Sequence, residues 1–472
     1  MRRIRVLTTT LMILGLLTAL AFAAAGQAGA ADIASPKAPL AVKKKVAESI
    51  QNIPGEVQGL DKKLADPKLA PDQKKKLEKE KAGLAAALTK LQDSTGKPGF
   101  LGLMRGPLQS EWFYLWGFLW AIWVGWIFST VGAFGGIMAG VGHITIFGLG
   151  DYAKSFGKGT PINKLITDST RVSNQWLVGL SAIISSFNYY KMGRLVLPLG
   201  VCLGIGSVAS SYLIPVLTAG KIRFTAYMGY FGLCVLLLGC FLVYQMTPRA
   251  RAKKKAAKEA AAAFEKEKGA SKDQGVKVVE GSYGGMILAM VITVLGAIWG
   301  NAMPSMAWYA LIVVAAGVAI GLALTITTKI RFTFYGVEFS FRGYIPILGG
   351  LFIAALASFL GVGGGFLFVP FLTAVAGLPM FLVAGTSALA VLVGMIVSIS
   401  TYMIAKDVPV QWGFIGAELV GIFIGSMIGP RTSKYLSDKW LNILFIILAV
   451  LVGVRYTLKG FYPDLYATLG LP

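Results

Sequence analysis

From Trp112 to the C-terminal end, the chain alternates between apolar runs of about 20 residues and short polar interruptions. Runs of that length cross a bilayer as helices. They fall into two blocks, 112–246 and 343–458, with two further runs at 284–302 and 305–327 between them. The pattern before Trp112 is different. "APLAVKKKVAESIQNIPGEVQGLDKKLAD" reads as an amphipathic helix broken at Pro54. "APDQKKKLEKEKAGLAAALTKLQDS" reads as a second helix, with Pro71 in its first turn and Leu77, Leu84, Leu88 and Leu91 on one stripe. Joined around Pro67–Pro71, the two make a helical hairpin over 31–106, carried on a flexible "STGKPG" tether. Two readings of the leucine stripe stand: the helices bury it against each other, or it binds a partner or a second copy of the chain. Residues 1–30 have a basic start, an apolar middle and Ala28-Gly29-Ala30, the pattern of a secretory signal peptide. An uncleaved first membrane helix is the rival reading. Either way, the hairpin is exported and lies in the periplasm.

Composition narrows the class. Of 472 residues, 55% are hydrophobic and 14% charged, against roughly 25% charged in soluble domains. The expected fold is an all-α integral membrane protein of about ten membrane segments plus the periplasmic hairpin. The net charge of +23 does not point to nucleic acid, because the basic residues concentrate in the soluble segments. Over 247–283 they place the linker in the cytoplasm and suit lipid headgroups. Cys202, Cys234 and Cys240 all fall in apolar segments and form no paired motif, so buried thiols are expected.

Glycine interrupts both blocks. "SFLGVGGGFLFVPFL", from Ser358 to Leu372, carries four glycines within five positions. "STVGAFGGIMAG" begins at Ser129 in the first block. Ser129 matches Ser358, and Gly135–Gly136 match Gly364–Gly365. Further on, "GVCLGIGSVASSYLIP" stands against "GAELVGIFIGSMIGP". A weak internal repeat with broken helices in corresponding places is a mark of secondary transporters. With the hairpin outside and the linker inside, five crossings per block make the two blocks inverted relative to each other; a re-entrant half-helix at the glycine break would change the parity and put the linker outside, against the charge rule. Irregular backbone at membrane depth is tolerated only inside protein or beside a wet cavity. A helix restarting at Gly363, Gly364 and Gly365 offers free N–H groups to an anion. Close helix packing is the competing account of the same glycines.

The second block resembles the TauE/SafE sulfite exporters. "GVGGGFLFVPFL" is close to that family's glycine motif, and "GLPMFLVAGTSALA" follows it with Gly385-Thr386-Ser387. The first block is looser: it lacks the proline and has "ITDSTRVSNQW" where Thr-Ser is expected. The resemblance spans about 112–246 and 343–458, leaving out the hairpin, the linker and the run 284–327. It implies inner-membrane transport of sulfur oxyanions or organosulfonates, as proton-linked export. Substrate contacts are then expected from Gly135, Gly136, Gly363, Gly364, Gly365, Ser129, Ser358, Thr386 and Ser387.

Polar residues at membrane depth are costly and merit separate reading. Asp168 and Arg171 stand three apart on one expected helix: a structural ion pair, or an arginine facing the anion. Asn174, one turn on, extends a polar stripe. Glu418 has no basic neighbour in its own span; it carries a proton, or is a neutral group bonded to another helix. His143, the sole histidine, titrates near neutral pH or is a hydrogen-bonded structural group. One histidine and three dispersed cysteines do not make an intramembrane enzyme, a metal centre or a cofactor site. An anion channel, or a sensor reading a ligand or partner through the hairpin, remains the alternative to a carrier.

Overall fold

The computed structural model describes residues 33–131, 135–191, 193, 195–245, 247, 276–280, 284–326, 329–334, 337–375, 380–432 and 438–469. The signal segment and almost all of the basic linker lie outside the described residues.

Helix α1, Leu40–Leu64, buries Val42, Val46, Ser49, Ile53 and Leu60. Helix α2, Pro71–Gln92, starts on Pro71 and buries Leu84, Ala87 and Leu91. The two pack together as a hairpin. Pro54 does not break α1, contrary to expectation. Its ring is on the exposed face, where water can satisfy the carbonyl that proline leaves unpaired. Nor is the hairpin loosely tethered. Residues 33–105 close on themselves through paired backbone at Ala34–Leu103 and Pro98–Met104, and Arg105 Nη1 lies 2.5 Å from Asp93 Oδ2. The Leu101 N–H donates to Gln411 Oε1 at 2.8 Å, the Ile162 N–H donates to Ser49 Oγ at 3.1 Å, and Leu84 and Ala87 sit against Gly157. Tertiary contacts of this kind cannot be read from a Gly/Pro-rich stretch.

The first block contains α3 (Glu111–Val131), α4 (Gly135–Val141, running into a wide turn Gly142–Ile146), α5 (Leu149–Lys154), α6 (Pro161–Lys191), α7 (Leu197–Thr218) and α8 (Phe224–Gln245). Strand β1 (Lys277–Glu280) follows, then α9 (Gly284–Ala302) and α10 (Ala307–Ile326). Strands β2 (Lys329–Phe334) and β3 (Val337–Arg342) lead to the second block. That block has α11 (Tyr344–Leu360), α12 (Gly365–Val375), α13 (Met380–Ser400), α14 (Trp412–Thr432) and α15 (Asp438–Phe461), closed by the short α16 (Pro463–Thr468). Among the described residues, seven helices are long and apolar enough to cross a membrane, and two shorter apolar helices accompany them. The molecule is an all-α multi-pass membrane protein with one small antiparallel sheet, β1-β2-β3, that was not expected.

Cys202 is buried, but Cys234 is half-buried and Cys240 exposed on α8. An apolar residue on the outer face of a membrane helix needs no protein cover, so the expectation of three buried thiols fails there.

Glycines set how the blocks interlock. A Cβ on Gly421 would strike the Phe118 carbonyl, and one on Gly206 would strike the Ile347 carbonyl. Phe118 stands to Ser129 as Ile347 stands to Ser358. The first helix of each block therefore packs on the fourth helix of the other, α3 on α14 and α11 on α7. The closing helices, α8 and α15, meet each other. Gly229 touches Gly460, Gly232 touches Thr457 and Leu236 touches Gly453: numbers rise on one helix as they fall on the other, so the pair is antiparallel. The third helices, α6 and α13, also run antiparallel, with Trp176 beside Met403 in the wide turn Thr401–Ala405 that continues α13, and Gly179 beside Met395. Small residues let membrane helices approach this closely.

Candidate functional site

Helix α6 is the exception among the long helices. It has 31 residues, about 46 Å at 1.5 Å per residue, and its middle is polar. Asp168, Ser169, Thr170, Arg171, Ser173, Asn174 and Gln175 are all buried. Spacings of three and four put Asp168, Arg171, Asn174, Gln175 and Val178 on one stripe.

Arg171 is fully buried. Its Nη1 donates to Asp168 Oδ1 at 2.9 Å, and its Nη2 donates to Thr218 Oγ1 at 3.2 Å and the Ser358 carbonyl at 3.3 Å. Asp168 Oδ2 accepts the Gly220 N–H at 2.6 Å. The guanidinium lies 5.3 Å from the Phe359 ring and 5.0 Å from the Tyr402 ring, a favourable site for a desolvated cation. Among the described residues, its Nε and the Gln175 Oε1 have no hydrogen-bond partner.

One turn on, Asn174 Oδ1 is 2.5 Å from His143 Nδ1. The other side of the ring faces Glu418, with Nε2 2.9 Å from Oε2 and 3.1 Å from Oε1. His143 comes from the turn after the first glycine break and Glu418 from the second block. If Asn174 Oδ1 accepts from Nδ1–H, the Nε2–Glu418 contact is left to share one proton. That proton sits either on a neutral carboxyl or on an imidazolium beside a carboxylate. Glu418 is thus partnered from another helix.

The glycine breaks meet back to back. A Cβ on Gly136 would overlap the Val362 carbonyl. Gly361 and Gly363, at φ +69° and +70°, take left-handed backbone that other residues rarely adopt. Gly361 lies against the Arg171 backbone and Gly363 against the Val178 side chain. Gly135 abuts Phe128, and Gly364 abuts Phe368. These four glycines and Gly136 are packed against protein. Gly365 is placed otherwise: with Ser129, Phe128, Ser185, Tyr189, Ala388 and Val391 it borders a cavity of about 10 Å³, room for about one water.

The remaining expected residues are dispersed. Ser129 Oγ donates to the Gly125 carbonyl at 2.8 Å, and Ser358 Oγ donates to Ser211 Oγ at 3.0 Å. Thr386 Oγ1 accepts the Val196 N–H at 3.1 Å, at the start of α7, and Ser387 beside it is buried. Gln175, Thr218, Tyr402 and Phe359 went unmarked in the sequence. Gln175 alone had a signal, as the next member of the polar stripe.

The site is thus a column of buried polar side chains held among the apolar helices of a multi-pass membrane protein. The family model described as Sulfite exporter TauE/SafE matches residues 279–456, so over that stretch the chain is similar to a family of membrane transporters. The matched stretch takes in α9 and α10, which the glycine motif alone had left outside the resemblance. No curated protein and no solved structure matches the chain.

Proposed function

We propose that the chain is a proton-coupled exporter of small sulfur anions, sulfite or organosulfonates, in a bacterial inner membrane. The hairpin lies in the periplasm and the basic linker in the cytoplasm. The two blocks act as inverted repeats, a relation supported by the antiparallel packing of α8 on α15 and α6 on α13. The observation that carries the reading is the α6 stripe, where a buried arginine and a buried His–Glu pair stand one turn apart at the junction of both glycine breaks. Arg171 supplies the donor for the anion through Nε, and Asp168 balances its charge. A balanced cation suits transport, because the anion must also leave. Protonation of the His143–Glu418 pair adds one positive charge beside the anion, so proton and anion move together. The cavity between Ser129 and Gly365 is smaller than any sulfur oxyanion, so passage requires α3, α6 and α12 to separate.

The test is flux from proteoliposomes loaded in turn with sulfite, thiosulfate, sulfoacetate, sulfate or a small carboxylate. Sulfite or sulfoacetate flux that a pH gradient accelerates supports the reading. Flux indifferent to the gradient identifies an anion channel, and no flux with any sulfur anion overturns the substrate class.

A further inference from the structure

The small sheet creates a pocket that transport does not use. It encloses about 200 Å³ and is lined by Lys329, Ser340, Phe341 and Arg342 of the sheet and by Ile345, Pro346, Phe371 and Leu372 of the helices beside it. Lys329 and Arg342 are direct partners across β2 and β3. Like charges placed opposite each other destabilise a strand pair. The register cannot slip to separate them, because the opposite face carries Ile330, Phe332 and Phe341, all buried in the apolar core. The next cross-strand charge on that face is matched: Arg331 Nε lies 3.7 Å from Glu338 Oε1. Among the described residues neither Lys329 nor Arg342 has an acidic partner. Both are exposed.

Their position is as informative as their charge. Strand β2 follows the spanning helix α10 after two residues, and β3 runs into α11. Both cations therefore stand at the membrane boundary, with the ring of Phe371 and the buried Leu372 beneath them. We propose that this pocket binds an anionic phospholipid, with its phosphate between Lys329 and Arg342 and its first acyl carbons against Phe371 and Leu372. A cationic rim over an apolar floor selects an amphiphile over a free ion. Since β1 lies at the end of the basic linker, the lipid belongs to the leaflet on the linker's side. The proposal does not depend on which anion is transported.

The full-length protein, purified in neutral detergent, is tested with phosphatidylglycerol, phosphatidylcholine and inorganic phosphate. Bound lipid is read by native mass spectrometry and stability by thermal unfolding. Phosphatidylglycerol should be retained and should raise the melting temperature, while phosphatidylcholine and phosphate should do neither. In Lys329→Gln/Arg342→Gln, affinity for phosphatidylglycerol should fall about tenfold or more, since each of the two basic contacts to an anionic lipid counts for about fivefold. Without lipid, this variant should melt at or above the wild-type temperature, because the opposed charges are gone. If it does not fold, Lys329→Glu, which places opposite charges across the ladder, must lose the lipid instead. Equal retention in either variant overturns the proposal. So does stabilisation by phosphate alone, which marks a free-anion site, or equal stabilisation by phosphatidylcholine.

Discussion

His143 and Glu418 come from opposite blocks of the chain and meet inside the membrane part with Nε2 2.9 Å from Oε2. Both side chains are almost completely buried, and Asn174 holds the far side of the ring. Each is the other's ionisable partner. Removing the histidine strands the carboxyl group, whereas converting Glu418 to an amide keeps a hydrogen-bonding group in place. His143→Phe should therefore lower the melting temperature clearly and Glu418→Gln only slightly. The double variant should show a coupling of about 0.5–3 kcal/mol. Additive effects in thermal unfolding would mean that the two groups do not act as a pair.

Arg171 and Asp168 give the second prediction. Breaking a buried pair by removing one partner costs about 3–5 kcal/mol, because the other charge is left uncompensated. Arg171→Ala should sharply reduce folded yield. Arg171→Lys keeps the charge but not the fork that reaches Asp168, Thr218 and Ser358 together. It should fold and transport with much weaker anion affinity, measured as the concentration for half-maximal flux. Wild-type affinity in Arg171→Lys would remove the guanidinium from the anion path.

The glycine breaks separate packing from binding. Gly136→Val drives a branched side chain into the Val362 carbonyl, and overpacking of this kind costs about 1–3 kcal/mol or more. Folded yield should fall. Gly365→Val fills the small cavity instead and should abolish flux while protein remains. Thr386→Val strands the Val196 N–H, at about 1–3 kcal/mol, so it should lower stability more than affinity. Intact flux in Gly365→Val would leave no substrate role for the break.

The hairpin clamp is pH-sensitive. Lys90 Nζ is 2.5 Å from Ser155 Oγ and 4.7 Å from the ring centres of Tyr152 and Phe156. Burial, and then the charge of Arg105, holds its ammonium below the ordinary 10.5. The undocked chain therefore binds more protons between the lowered value and 10.5, so docking strengthens as pH rises through that window. A cysteine at Ala87 should become harder to label as pH rises toward 10, after correction for thiol ionisation. Lys90→Met should flatten the trend, and a trend unchanged in that variant would contradict this account.

Much of the fold was legible because bilayer thickness fixes the length of apolar runs. The glycines at Gly206 and Gly421 stand at matching places in the two blocks, and each meets a carbonyl of the other block's first helix, Ile347 and Phe118. The sheet had a signal in "KIRFTF" and "VEFSFR", which alternate strictly around Tyr335-Gly336, but a period of two over six residues is weak beside the long apolar runs on either side. In the site, Asp168 and Arg171 could be paired from spacing alone. The contact of His143 with Glu418 spans 275 positions and left no local trace. The glycines were legible as a break, but whether a missing Cβ makes room for a ligand or for Val362 depends on what lies opposite.

The central claim is coupled movement of proton and anion through the His143–Glu418 pair. The direct measurement is sulfite flux in proteoliposomes, with and without an imposed pH gradient, for wild type and Glu418→Gln at matched protein content. Wild-type flux should rise with the gradient. Glu418→Gln should still exchange sulfite across equal pH but show no response to the gradient. A variant that responds as wild type does would contradict the account.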